Sequence, residues 1–371
     1  MRRSELNHLP VIEPDPDDPA YRLVTFRHRQ PDCDGVLALL HTVTDKDRHA
    51  GDLTPHLMTR QSDTWELTYR LRADHRASYQ LYPFRGEPPG TTRVDWLHVL
   101  DHARPDPYDT EPRLPARDGR HPASVLSLPD APPQPYVQRR AGVPRGRTVS
   151  HTVAGRRVDV HLPAAFPGEG PYPVAVLLDG EQWGEVLSVG DTLDNLTADG
   201  AIPPTVALLV HTMGPGRAED LSCNPAFVDL LADRLLPWAA REFGASTDPA
   251  DTVIAGQSAG GLTAAFAAFR RPERFGNALS QSGSFWWPDG TEFDAGSEWL
   301  TRQFAAEARR QARFYVEVGL QEWTLLTQNR HLRDVLTARG YDLEYREFNG
   351  GHDYACWRGG LADGLKHLLG A

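Results

Sequence analysis

The chain has 371 residues, of which 40% are hydrophobic and 24% charged, and its formal net charge is −11. This length suggests two domains, and the balance of residue types excludes a disordered or membrane-embedded chain. The negative charge argues against a nucleic-acid partner, and an anionic ligand would need local arginines.

The N-terminal segment and the cysteines bear on the cellular compartment. Residues 1–18 pass from arginines to acidic residues without an apolar run, so no signal peptide is predicted, and no later stretch could span a bilayer. Cys33, Cys223 and Cys356 are too widely separated to indicate a disulfide framework or a zinc site. We therefore expect a cytoplasmic protein with no membrane partner and no metal ligands.

The first 104 residues contain short alternating apolar runs separated by turn residues, at 23–26, 36–40, 64–69 and 79–82. Runs of this length without helical periodicity are typical of an antiparallel β-sandwich. Prolines then become frequent, which predicts a proline-rich linker over 105–140. The sequence thus predicts an N-terminal sandwich domain over 1–104.

The remaining part of the chain, 141–371, has a different pattern. A hairpin is predicted over 148–162. Short apolar, β-branched runs then alternate with helical segments, which indicates a mainly parallel sheet covered on both faces. The runs lie at 174–178, 206–210, 252–255, 314–318 and 343–348.

A Gly-x-Ser-x-Gly motif centred on Ser258 lies between a predicted strand and a predicted helix, as in α/β-hydrolases. The sharp turn brings backbone against backbone, which Gly256 and Gly260 allow because they lack side chains. We predict Ser258 as the nucleophile and the amide of Ala259 as one oxyanion donor. Gly180, in the loop after 174–178, is the candidate for the second donor.

A serine nucleophile needs a base and an acid, which α/β-hydrolases carry downstream in the order acid, then histidine. His352 follows the strand 343–348 across a glycine loop and is the predicted base. Glu322 lies just past the strand 314–318 and is the preferred acid. Glu317 lies within that strand, where a carboxylate is expensive to bury, and it stays an alternative together with Asp353.

From residue 174 onward the chain resembles the enterochelin (enterobactin) esterases, cytoplasmic enzymes that hydrolyse the trilactone backbone of a catecholate siderophore. The most specific segments are Ser-Gln-Ser-Gly-Ser-Phe-Trp-Trp at 280–287 and Trp-Arg-Gly-Gly at 357–360. The resemblance implies an α/β-hydrolase C-terminal domain preceded by an immunoglobulin-like β-sandwich N-terminal domain. It implies no cofactor, because iron enters only with the substrate. The other matching segments are 177–183, 255–261, 272–276 and 350–353.

The implied substrate is aromatic and multiply anionic, so it needs cations and flat apolar surfaces. Arg217 and Arg358 are candidates for the charge, with a structural salt bridge as the alternative for Arg358. Trp183, Phe285 and Trp286 are candidates for contact with the catechol rings, with core packing as the alternative for such aromatics.

The predicted function is hydrolysis of a catecholate siderophore trilactone, in the ferric or the iron-free form, for intracellular iron release. Two other functions fit the sequence. One is a carboxylesterase or acyltransferase that acts on another ester, and the other is a siderophore-binding protein.

Overall fold

The computed structural model describes residues 10–109, 111–115, 120–288 and 297–370. Contacts between residues divide the chain into two compact units, and the division does not follow chain order. The first unit combines Met1–Pro133, as far as it is described, with Gly319–Trp323 and Phe348–Cys356. The second unit contains Gln134–Val318, Thr324–Glu347 and Trp357–Ala371.

The first unit is built around two four-stranded antiparallel sheets, with strand orders β1-β2-β5-β4 and β3-β6-β8-β7. Two helices, α1 (Val43–His49) and α2 (Arg93–His102), accompany the sheets. The strands are β1 (Val11–Pro14), β2 (Tyr21–Arg29), β3 (Gly35–Leu40), β4 (Thr59–Gln61), β5 (Thr64–Arg72), β6 (Arg76–Phe84), β7 (Leu114–Pro115) and β8 (Pro122–Ser127).

The two sheets share one apolar core, as the period-2 pattern predicts. On β2, Val24 and Phe26 are at most 1% exposed, while Thr25 between them is more exposed. The ring of Phe26 meets that of Tyr79, from β6 of the other sheet, edge to face with centroids 4.9 Å apart. The predicted N-terminal sandwich is therefore confirmed.

The predicted linker differs from the structure, because β7 and β8 lie inside 105–140. Strand β8 pairs with β6 in antiparallel register, and Leu126 on β8 is buried in the sandwich core. Prolines suggest a linker because they have no backbone N–H to donate to a neighbouring strand. Pro122, however, is the first residue of its strand, where proline is tolerated. The sandwich therefore extends beyond residue 104.

The second unit contains an eight-stranded mixed sheet of order β16-β15-β14-β13-β11-β12-β10-β9. Strand β11 runs parallel to both β12 and β13, β13 runs parallel to β14, and β14 runs parallel to β15. Strands β9 and β10 form an antiparallel hairpin. The strands are β9 (Arg147–Val153), β10 (Arg156–Leu162), β11 (Val174–Leu178), β12 (Val206–Val210), β13 (Thr252–Gln257), β14 (Asn277–Gln281), β15 (Arg313–Gly319) and β16 (Asp342–Phe348).

Helices follow most of the parallel strands, which leaves every residue of β11, β12 and β13 buried. This arrangement confirms the predicted α/β-hydrolase domain. No helix within the described ranges is long and apolar enough to cross a membrane. The helices are α3 (Val189–Ala198), α4 (Arg217–Asp220), α5 (Pro225–Leu230), α6 (Leu236–Phe243), α7 (Ala259–Arg270), α8 (Trp299–Ala306), α9 (Leu326–Ala338) and α10 (Tyr354–Leu369).

Candidate active site

Ser258 occupies a strained turn between β13 and α7. Its φ of 57° and ψ of −121° lie in a region that residues with a side chain rarely adopt. The turn brings β13 against the first turn of α7: a Cβ built on Gly256 would lie 2.4 Å from the carbonyl carbon of Gly260. Only glycine fits at position 256, as the motif requires.

Gly260, the other glycine of the motif, differs from the sequence-based expectation. A Cβ on Gly260 would lie 3.6 Å from the nearest atom, the Cβ of Leu178, which is an ordinary contact. A Cβ on Gly261 would instead come within 2.7 Å of Ser280 Oγ and 3.0 Å of Gly283 Cα. Close packing of α7 therefore depends on Gly261 rather than on Gly260.

The hydroxyl of Ser258 has a neighbour that sequence reasoning missed. Ser258 Oγ lies 3.3 Å from Ser284 Oγ, and Ser284 is 5% exposed. The backbone joins the same two residues, because Ser284 N donates to Ser258 O at 3.0 Å. The one sequence signal for Ser284 is its position in the specific run 280–287.

The predicted oxyanion donors both follow strands of the second unit. Ala259 is the first residue of α7, so its amide belongs to the positive end of that helix. Gly180 follows β11, and a Cβ there would lie 2.3 Å from the backbone of Leu209. The residue before it, Asp179, has a positive φ of 54°. The chain therefore makes a tight glycine-dependent turn at this strand end.

His352 and Glu322 form a hydrogen-bonded pair within the first unit. The Nδ1 atom of His352 lies 2.6 Å from Oε2 of Glu322. The other carboxylate oxygen of Glu322 accepts a hydrogen bond from Gly319 N at 2.9 Å, and the residue is 1% exposed. A buried carboxylate on Nδ1 fixes the orientation and the tautomer of the imidazole.

The two alternative acids have other partners. Glu317 accepts from Gln281 Nε2 at 2.6 Å and from the Tyr315 hydroxyl at 3.1 Å. Burial raises the pKa of Glu317 to about 7. Asp353 accepts from the backbone amides of Ser78 and Ala355. Glu317 and Glu322 are both buried, so they are distinguished by their partners and not by the cost of burial on which the sequence argument relied.

The aromatic candidates divide according to burial. Trp183 is 1% exposed and donates from Nε1 to Gln257 Oε1 at 3.1 Å, and Phe285 is fully buried. Neither ring has an open face to offer a catechol, so the prediction of substrate contact is corrected for both: they are core residues. Trp286 is partly exposed and stays a candidate.

The two predicted cations are also engaged within the protein. Arg217 donates from Nε and Nη2 to the carboxylate of Asp179, at 2.8 and 2.7 Å. Asp179 is 1% exposed. Its carboxylate therefore neutralises much of the positive charge on Arg217 that was predicted to attract an anionic ligand. Arg358 donates from Nε to Gln134 Oε1 at 2.9 Å. Among the described residues, no cluster of three or more His, Cys, Asp or Glu side chains could hold a metal ion.

Comparisons with known proteins identify relatives along most of the chain. The family model described as "Putative esterase" matches residues 151–368, and the model "Enterochelin esterase, N-terminal" matches residues 23–137. The iron(III) enterobactin esterase of Escherichia coli K12 is 33% identical, over 93% of this chain and 90% of that protein. The iron(III) salmochelin esterase of Escherichia coli O6:H1 is 31% identical, over 100% of this chain and 93% of its own length.

A solved structure agrees with these relatives. The enterobactin esterase of Shigella flexneri, crystallised in the presence of enterobactin, superposes with a TM-score of 0.84 and 30% identity. The superposition covers 99% of this chain and 98% of that structure. The resemblance predicted from the sequence is thereby confirmed. The chain belongs to the enterobactin (enterochelin) esterase family.

Proposed function

We propose that this chain is a cytoplasmic serine esterase that hydrolyses the ester bonds of a catecholate siderophore trilactone, with Ser258, His352 and Glu322 as its catalytic triad. The observation that carries the proposal is the 2.6 Å contact between His352 Nδ1 and Glu322 Oε2. A histidine held in this way is the general base that a serine on a strained strand-to-helix turn needs.

The proposed reaction proceeds through an acyl-enzyme. His352 Nε2 takes the proton of the Ser258 hydroxyl while the oxygen attacks an ester carbonyl of the trilactone. The amides of Ala259 and Gly180 stabilise the oxyanion that forms. Collapse of the intermediate expels the serine hydroxyl of the substrate, which takes the proton from His352. Water then hydrolyses the acyl-enzyme by the same steps.

The substrate class is supported by the relatives, which are named for iron(III) enterobactin and iron(III) salmochelin. In both names the iron belongs to the ligand, so we propose no metal or cofactor of the enzyme itself. Trp286, being partly exposed, is the aromatic residue that we propose for contact with a catechol ring. Arg217 and Arg358 stay proposals as sources of local positive charge, each with a partner in the protein.

The proposal is tested by chromatography of the products from ferric and iron-free enterobactin. For Ser258→Ala we expect a loss of about 10⁴ to 10⁶ in rate, because the nucleophile is removed. Ser284→Ala removes the neighbouring hydroxyl and is expected to cost no more than about tenfold. Unchanged turnover by Ser258→Ala would contradict the triad, and binding of the trilactone without turnover would favour a siderophore-binding protein.

A further inference from the structure

Thr42, immediately before α1, has an unusual backbone conformation. Its φ is 71° and its ψ is −40°, a combination that a β-branched residue rarely adopts. The residue is 1% exposed, so its surroundings hold it there. Strain of this kind persists only where neighbouring groups enforce it, and it is concentrated at functional sites. The contacts of Thr42 therefore indicate what the strained conformation serves.

The hydroxyl of Thr42 contacts the backbone of the predicted base. Thr42 Oγ1 accepts a hydrogen bond from His352 N at 2.8 Å, and Thr42 N donates to Asp45 Oδ2 at 3.0 Å. A Cβ built on Gly351 would lie 2.0 Å from Thr42 Oγ1. Only glycine before His352 therefore allows the two segments to approach so closely.

Further bonds within the first unit hold the residues on either side of His352. Arg76 N donates to Asn349 O at 3.0 Å, and Ser78 N donates to a carboxylate oxygen of Asp353. The segment that carries Glu322 is joined to the same loop, because Gln321 N donates to Gly350 O at 3.0 Å. The loop is thus fixed before, at and after His352, and Thr42 supplies the bond at the histidine itself.

We propose that Thr42 is a positioning residue for the hydrolysis described above, and this inference rests on that proposed function. Glu322 fixes the imidazole ring at Nδ1, while Thr42 fixes the main chain from which the ring projects. A ring held at one end alone can tilt, and misplacement of a catalytic group by about 1 Å can reduce a rate about 100-fold. Thr42 therefore sets the direction of Nε2 without touching the substrate.

A merely structural role would lower the stability of the protein and leave the turnover of the folded enzyme intact. Three substitutions separate the two roles. Thr42→Val keeps the shape and removes the acceptor, Thr42→Ser keeps the hydroxyl, and Thr42→Gly removes the hydroxyl while suiting the positive φ. The matched control is Thr44→Val, because Thr44 is also 1% exposed but its hydroxyl accepts from Leu40 N at 2.9 Å.

We expect Thr42→Val to lower kcat about 10- to 100-fold while KM changes less than about threefold. Thr42→Ser should keep at least about a third of the kcat. Thr42→Gly should lose kcat as Thr42→Val does, although relief of strain keeps its melting temperature at or above that of Thr42→Val. Thr44→Val should lose stability and keep kcat. Full kcat in Thr42→Gly, or an equal loss in Thr44→Val, would overturn the inference.

A second readout separates this inference from the choice of substrate. A fluorophosphonate labels an activated serine whatever ester the enzyme prefers, so its rate of reaction with Ser258 reports how well His352 is placed. If the wild-type protein is labelled but cleaves no trilactone, the proposed substrate is wrong, and a 10-fold or greater fall in labelling in Thr42→Val still supports the inference. Equal labelling of the wild type and Thr42→Val overturns it, and no labelling of the wild type overturns both proposals.

Discussion

The carboxylate of Glu322 meets the Nδ1 atom of His352 across a sequence separation of 30 residues. Each residue lies in a loop just after a strand, Glu322 after β15 and His352 after β16. Ser258 likewise follows β13. The residues proposed for catalysis therefore follow the carboxyl ends of three strands, where sheets of this class place their sites.

Replacing Glu322 by glutamine tests the identity of the acid. The amide can donate to Nδ1, which favours the tautomer that cannot accept the serine proton, so we expect kcat to fall about 10³- to 10⁴-fold in a folded protein. Glu317→Gln is the control, since Glu317 is bonded to Gln281 and Tyr315. Steady-state kinetics and near-UV circular dichroism measure both. Equal losses of kcat in the two variants would contradict the assignment of Glu322.

Glu317 predicts a pH dependence of stability. Burial raises its pKa from 4.5 to about 7, so the folded state holds the proton more tightly than the unfolded chain. The free energy of unfolding therefore falls as the pH rises through this window, by up to about 3 kcal/mol. Glu317→Gln should remove this slope and be more stable than the wild type at pH 8. Urea unfolding at several pH values measures it, and parallel curves for the two proteins would refute the prediction.

Gly256 and Gly260 offer a matched pair for the strained turn. Gly256→Ala forces a Cβ to 2.4 Å from the backbone of Gly260, and we expect a loss of about 2 to 3 kcal/mol in stability, with little activity left. Gly260→Ala has room and lies in α7, where alanine is the better helix former, so its stability should be unchanged or slightly higher. Denaturant unfolding compares them, and a larger loss of stability for Gly260→Ala would contradict the close approach at Gly256.

Trp286 and Trp183 should respond differently to truncation. Trp286 is partly exposed, so Trp286→Ala is expected to raise the KM for the trilactone about 3- to 10-fold with little change in melting temperature. Trp183 is buried, so Trp183→Ala should cost about 3 to 5 kcal/mol of stability. Kinetics with the trilactone and with a small aliphatic ester show whether the effect is specific to catechols. An unchanged KM in Trp286→Ala would remove that residue from the proposed site.

The pair between Arg217 and Asp179 predicts a non-additive effect. Arg217→Met leaves a buried carboxylate without its cation, and we expect a loss of about 2 to 3 kcal/mol. This is below the usual cost for a wholly buried pair because the Arg217 side chain is 29% exposed. Adding Asp179→Asn to Arg217→Met should restore part of the stability, since the neutral amide costs less to bury. Thermal unfolding of both variants checks this, and purely additive losses would be evidence against the pairing.

Local patterns in the sequence predict much of this fold and site. The period-2 runs identify the sandwich, and the buried runs identify most of the parallel sheet. The strand–glycine–serine–glycine–helix order at Ser258 gives the turn because its steric cause is local. Glu322 and His352 are identified by their positions just after strands. These features depend on neighbours within a few residues.

The features that the sequence did not predict depend on distant contacts. Strand β14 was not predicted, because Asn277, Ser280 and Gln281 are polar and interrupt the apolar run that marks a buried strand. These positions are buried, and Asn277 and Gln281 donate to neighbouring strands and loops. The bond between Thr42 and His352 joins residues 310 positions apart, for which neither segment carries a local signal. The buried Trp183 likewise donates its hydrogen bond to Gln257, 74 residues away.

The segments that carry Glu322 and His352 belong to the same compact unit as the sandwich, so the proposed acid and base keep their places only while that unit is folded. Heat that unfolds the first unit alone would therefore inactivate the enzyme while the turn at Ser258 stays folded. The temperature of inactivation should follow whichever unit melts first. Replacements that stabilise the sandwich would then keep the enzyme active for longer at elevated temperature.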